Sequence, residues 1–150
     1  MMLVPLFLCI GFMLAVLYID LMFDVTAVPY RRTKEPLPGE VVEPIASYYR
    51  RITQNPYVLM FVMLTATVCI VAEIVYDLVP RWAGYVSLAL MGAAMLAGAG
   101  KVIPAAQRLA SGKDADDKRT RLVHSMLPGH VVLLISILLL ALVQFSTSLK

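Results

Sequence analysis

The chain has 150 residues, 60% of them hydrophobic and only 15% charged, with a formal net charge of +3. A soluble domain is about 45–50% apolar and about 25% charged, so this composition excludes an ordinary water-facing globule and points to one lipid-facing domain over residues 1–150. Nothing interleaves basic with aromatic residues as nucleic-acid binding would require. Cys9 and Cys69 lie inside apolar runs and form neither a C-x-x-C pair nor a zinc spacing.

In chain order, an apolar run predicts a first membrane helix over 3–24; a span needs about 20 apolar residues. It has no basic leader and exceeds the roughly 7–15 apolar residues of a signal-peptide core, so it is expected to remain as a span. Near its end, Asp20 and Asp24 stand at i and i+4, about 40° apart around a helix. The stretch RRTKEPLPGEVVEP that follows is broken by Pro36, Pro38, Pro44 and Gly39 and reads as a turn-rich connector. After it, Ile45, Tyr48, Tyr49 and Ile52 recur at helical spacing opposite Arg50, Arg51 and Gln54. This predicts a short amphipathic helix over 44–54 on the membrane surface.

A second membrane helix is predicted over 56–79, carrying Thr65, Cys69, Glu73 and Asp77 in one i+4 row. The third, over 82–108, contains two rows of small residues, Ala89–Ala93–Ala97 and Ala94–Gly98. Small residues let helices approach closely in lipid, so both rows are expected to be packing faces. Lys101 continues the first row and is expected to point into the bundle. The fourth helix, over 122–147, includes MLPGHVV, where Pro128 cannot donate to the carbonyl of His124, so the helix should kink or begin there. The expected fold is an all-α, up-down four-helix membrane bundle with one interfacial helix between helices one and two.

Basic residues set the expected direction. Arg31, Arg32, Lys34, Arg50 and Arg51 fall in loop one, and Arg108, Lys113, Lys118, Arg119 and Arg121 in loop three. Loop two has only Arg81 and the C-terminus only Lys150. Positive charge marks the cytoplasmic side, so both termini are expected outside a bacterial inner membrane, with loops one and three in the cytoplasm. Asp114, Asp116 and Asp117 in loop three lack the spacing and distal glutamate of an EF-hand and read as a solvated turn.

This orientation brings Asp20, Asp24, Lys101 and His130 to one depth, and these four are the candidate catalytic residues. Acid–base groups at a proline-disturbed helix fit proton transfer to a bound substrate. The plainer reading is an ion-pair network joining three helices, with Lys101 on Asp20 and Asp24 on Arg50 or Arg51. Candidate binding residues are Glu73, Asp77, Arg50, Arg51 and Tyr48. A carboxylate as deep as Glu73 is expensive in lipid and is expected to face the bundle interior. No metal ligands are assigned, because His124 and His130 lie about 120° apart on one helix, and no motif names a cofactor.

Two functions follow as expectations. One is a membrane enzyme acting on a lipophilic small molecule at the cytoplasmic-side cluster. The other is a transport, assembly or accessory subunit whose ion pairs are structural. Besides the lipid bilayer, the expected partner is a second copy packed through the small-residue face of helix three. In length and hydropathy, and in no residue motif, the chain resembles small four-helix anthrone oxygenase-like proteins; that resemblance would imply the enzyme.

Overall fold

The computed structural model describes residues 3–32 and 35–149, all of whose regular elements are helical. Lys34 and Lys150, which entered the charge bias, lie outside the described residues. The elements are α1 (Leu3–Thr26), a 3-10 turn (Val28–Arg32), α2 (Gly39–Gln54), α3 (Tyr57–Val75), α4 (Arg81–Ala97), a π-helical turn (Gly98–Val102), α5 (Ile103–Ser111) and α6 (Asp116–Ser148). Among the described residues, four helical stretches are long and apolar enough to cross a membrane: α1, α3, the continuous stretch Arg81–Ser111, and α6. That is the character of a multi-pass membrane protein. Only 28–33% of each span's most apolar window is buried, and side chains such as Leu8, Phe61, Leu96 and Leu142 point outward, as lipid-facing helices require.

α1 packs on α3 and α6, and α4 packs on the same two helices. Their shared core holds Leu6, Ile10, Met13 and Leu17 from α1, Ala66 and Ile70 from α3, Met91 and Ala94 from α4, and Ile137 and Leu140 from α6. A second core lies at one end, where α2, α5 and the first turns of α6 enclose Leu37, Val42, Ile45, Tyr49, Leu109, Val123 and Met126. Val42, Ile45, Ala46 and Tyr49 form the buried face of α2, at i, i+3, i+4 and i+7. α2 begins at Gly39, a turn before the expected start at 44, because the carbonyl of Pro38 accepts the N–H groups of Val41 and Val42. Pro44 then sits inside the helix.

Two prolines shape the long spans. Pro104 lacks the N–H that would bond the carbonyl of Gly100. Just ahead of it the chain widens into the π-turn, and Ile103 N–H reaches Gly98 O. Pro128 likewise frees the carbonyl of His124, and Arg31 Nη2 donates to that oxygen at 3.3 Å. α6 therefore runs through Pro128 without ending there and starts at Asp116, not near 122. Its 33 residues span about 50 Å, well beyond the roughly 30 Å of hydrocarbon. The first turns thus extend past the bundle into the second core. Asp116 and Asp117 in its first turn favour the helix dipole.

Candidate functional site

The junction of the two cores holds a buried polar cluster. α1 presents Asp20 and Asp24 on the face that also carries Met13 and Leu17, so the buried stripe of the span delivers both carboxylates inward. α6 presents His130, which is 1% exposed. Its Nδ1 lies 2.6 Å from Oδ2 of Asp24, and its Nε2 lies 3.6 Å from Oδ2 of Asp20. α2 completes the cluster. Tyr48 donates its hydroxyl to Oδ1 of Asp20 at 2.8 Å, and Tyr49 donates to Oδ1 of Asp24 at 3.4 Å. The Tyr49 ring runs parallel to the imidazole with centroids 6.3 Å apart, and Phe23 stacks on Tyr48 at 4.3 Å.

α6 approaches the π-turn closely at the residue before the histidine. A Cβ added at Gly129 would stand 2.6 Å from Cγ2 of Val102. The π-turn carrying Val102 therefore fits against α6 only because residue 129 has no side chain.

A neutral imidazole has one N–H and can donate to Asp24 alone; a second proton on Nε2 would face Asp20 and offset one carboxylate. Burial first, and the nearby Asp20 second, push the hydroxyls of Tyr48 and Tyr49 far above the ordinary phenol range. Both therefore stay protonated and serve as fixed donors. Three of the four oxygens of Asp20 and Asp24 lie within hydrogen-bond distance of the imidazole or a phenol, and the fourth, Oδ2 of Asp20, faces Nε2 at 3.6 Å.

Asp20, Asp24, His130 and Tyr48 thus come together. Lys101 does not join them: it is exposed and has no ion pair among the described residues. Of the two small-residue rows, Ala94–Gly98 is buried, whereas Ala89 and Ala93 are exposed and Ala97 is half-buried. Lys101 continues that outward row. Arg50 and Arg51 also stay out of the cluster: both are exposed, and Arg50 Nε donates to the carbonyl of Ala110 at 3.3 Å. His130 takes the place that the sequence reading gave to lysine and arginine.

Glu73 and Asp77, on one helical row, separate completely. Asp77 is exposed and meets Arg81 at 3.2 Å. It adopts φ +50 just past α3, where Leu78 N–H bonds Glu73 O and Asp77 N–H bonds Ile74 O, a Schellman ending with aspartate in the usual glycine position. Glu73 is buried, and Gln144 Nε2 donates to its Oε2 at 2.8 Å and to Ser87 Oγ at 3.0 Å. Gln144 and Ser87 were missed by the sequence reading. The signal for Gln144 was its isolation in LLLALVQF, the only amide in an apolar helix end.

A surface cleft of about 320 Å³ lies against the start of α6, lined by Arg31, Glu35, Asp117, Thr120, Arg121 and His124 among others. Asp20, Asp24 and His130 do not line it. Among the described residues no set of histidine, cysteine, aspartate and glutamate is arranged to hold a metal ion. Compared with family models, curated proteins and solved structures, the chain finds no match in any of the three.

Proposed function

We propose that this chain is a structural or accessory subunit of the membrane, whose Asp20–Asp24–His130 cluster clamps α1, α6 and α2 together. The observation that carries this reading is that both ring nitrogens of His130 face carboxylates while tyrosines engage the other carboxylate oxygens. An acid–base catalyst must present a free proton or lone pair to a bound molecule; here each is already turned inward. The clamp and the Glu73 group are separated by the apolar core of the four spans, which argues against one copy carrying ions across.

The proposed disposition follows the charge. Arg31, Arg32, Arg50, Arg51, Arg108, Lys113, Lys118, Arg119 and Arg121 all belong to the α2 end, and Arg81 stands at the other. The α2 end is therefore cytoplasmic, the four spans alternate in direction, both termini are outside, and α2 lies at the inner membrane surface beneath the bundle. The outward row Ala89–Ala93–Ala97 is the face proposed for a second copy or another subunit. With Cys9 and Cys69 replaced by alanine, Gln54→Cys should label from the cytoplasm and Arg81→Cys from outside.

The clamp is tested by exchange. Asp24→Asn and His130→Ala should each lower the yield of monodisperse protein in detergent, and the exchanged pair Asp24→His with His130→Asp should recover part of it. If the single variants fold as well as the parent, the cluster is free to act on a substrate and the enzyme reading takes over.

A further inference from the structure

At the end of the bundle opposite the clamp, Glu73, Ser87 and Gln144 are 1%, 0% and 0% exposed. They come from α3, α4 and α6. The α3–α4 hairpin closes tightly over them: a Cβ at Gly84 would lie 2.6 Å from Cγ1 of Ile74, and Ser87 follows one turn later. Both N–H groups of the Gln144 amide are used, one on Glu73 Oε2 and one on Ser87 Oγ. Two buried oxygens are then left without a partner among the described residues, Oε1 of Glu73 and Oε1 of Gln144.

The two leftover atoms belong to the same hydrogen-bonded pair, and each is an acceptor. An ionised Glu73 would leave both of them unsatisfied and would sit in an apolar core without a counter-ion. No basic side chain is paired with it among the described residues. The groups around it are Ser87 of α4, Gln144 of α6, and Cys69 one turn back on α3 with Cys9 of α1 beyond it. Asp77, one turn ahead, is exposed and held by Arg81. A carboxylic acid and a primary amide can share two hydrogen bonds in one ring. The amide donates N–H to one carboxyl oxygen, and the other donates its O–H to the amide carbonyl. One proton on Glu73 therefore satisfies both leftover atoms.

We propose that Glu73 is a proton-binding site facing the outer end of the bundle, with its proton on Oε1 shared with Oε1 of Gln144. One proton is bound, with no other change of bonds. It leaves to water at the α3–α4 turn when that hairpin opens, and the carboxylate it leaves behind loosens α3 from α4 and α6. The site thus links the packing of the outer end to the external proton concentration, independently of the clamp.

The test uses the full chain in lipid nanodiscs. Infrared difference spectra in H2O and D2O should show the C=O stretch of a protonated carboxylic acid in the parent, absent in Glu73→Gln. The amide in Glu73→Gln keeps one donor and one acceptor, so this variant should melt at the parent's temperature at acid pH, where Glu73 carries its proton folded or unfolded. As pH rises the parent should lose stability and the variant should not, because the ring is intact only while the proton is bound. If the variant does not fold, the parent spectrum decides alone, with Ser87→Ala expected to shift the band. Absence of any protonated-carboxyl band overturns the proposal, as does a Glu73→Gln variant that is less stable at every pH. Stabilisation of the parent by sodium over choline, lost in Glu73→Gln, would make the site one for a metal cation and overturn it equally.

Discussion

The two buried polar groups make opposite use of similar chemistry. At the α2 end, two carboxylates meet one imidazole and two phenols, drawn from three helices; three of their four oxygens are within hydrogen-bond distance of a partner and the fourth faces the imidazole at 3.6 Å. At the far end, one carboxylate meets one amide and one hydroxyl, and two oxygens are left over. The carboxylates of both groups are buried, although Tyr48 of the first is only half-buried. The balance of donors to acceptors differs, and on that balance rest the different roles proposed for the two groups.

Substitution should widen this contrast. The largest effect is expected at the clamp, where His130→Ala leaves two buried carboxylates facing each other. Breaking a buried pair by removing one member costs about 3–5 kcal/mol, read as a lower denaturation midpoint and a smaller folded fraction. Next is Gly129→Ala, whose new methyl would meet the stiff, branched Val102. Overpacking of this kind costs about 1–3 kcal/mol, and adding Val102→Ala should return most of it; failure of that rescue would show that the cost does not arise at the Val102 contact. The smallest effect is expected from Arg31→Ala, which removes the donor to the carbonyl freed by Pro128. A partly exposed hydrogen bond of this type contributes about 1 kcal/mol, since water can replace the guanidinium. A change as large as that of His130→Ala would mean that α6 depends on Arg31 to pass through Pro128.

Much of the clamp was legible in the sequence, for a specific reason. A charged residue near the end of an apolar run is costly unless paired, so Asp20, Asp24 and His130 stood out, and the spacing of Tyr48 and Tyr49 placed them on one face. The partner choice was less legible. Ala89–Ala93–Ala97 and Ala94–Gly98 satisfy the same small-residue rule on adjoining sides of one helix, and only the packing of α6 decides which side turns inward. Both rows read alike as packing faces, and Lys101 was placed inward with the first, whose Ala89 and Ala93 turn outward in the fold.

Helix lengths were missed where tertiary contacts override local polarity. The stretch DDKRTR reads as loop, yet it is helical because Val123 and Met126 just beyond it anchor that turn to α2 and α5. The π-turn did have a signal, Pro104 standing four residues after Gly100. The Glu73 group was half visible: a deep carboxylate announces itself and Gln144 stands alone in an apolar run, whereas Ser87 resembles the many small polar residues tolerated in membrane helices.

A double-mutant cycle between Asp24 and His130 asks most directly whether these two side chains act on each other. With Asp24→Asn, His130→Ala and the pair measured by denaturation in one detergent, the two costs should fall short of adding, with an interaction of about 0.5–3 kcal/mol. Strictly additive costs would mean that the imidazole and the carboxylate are neighbours without being partners, and the clamp would not exist.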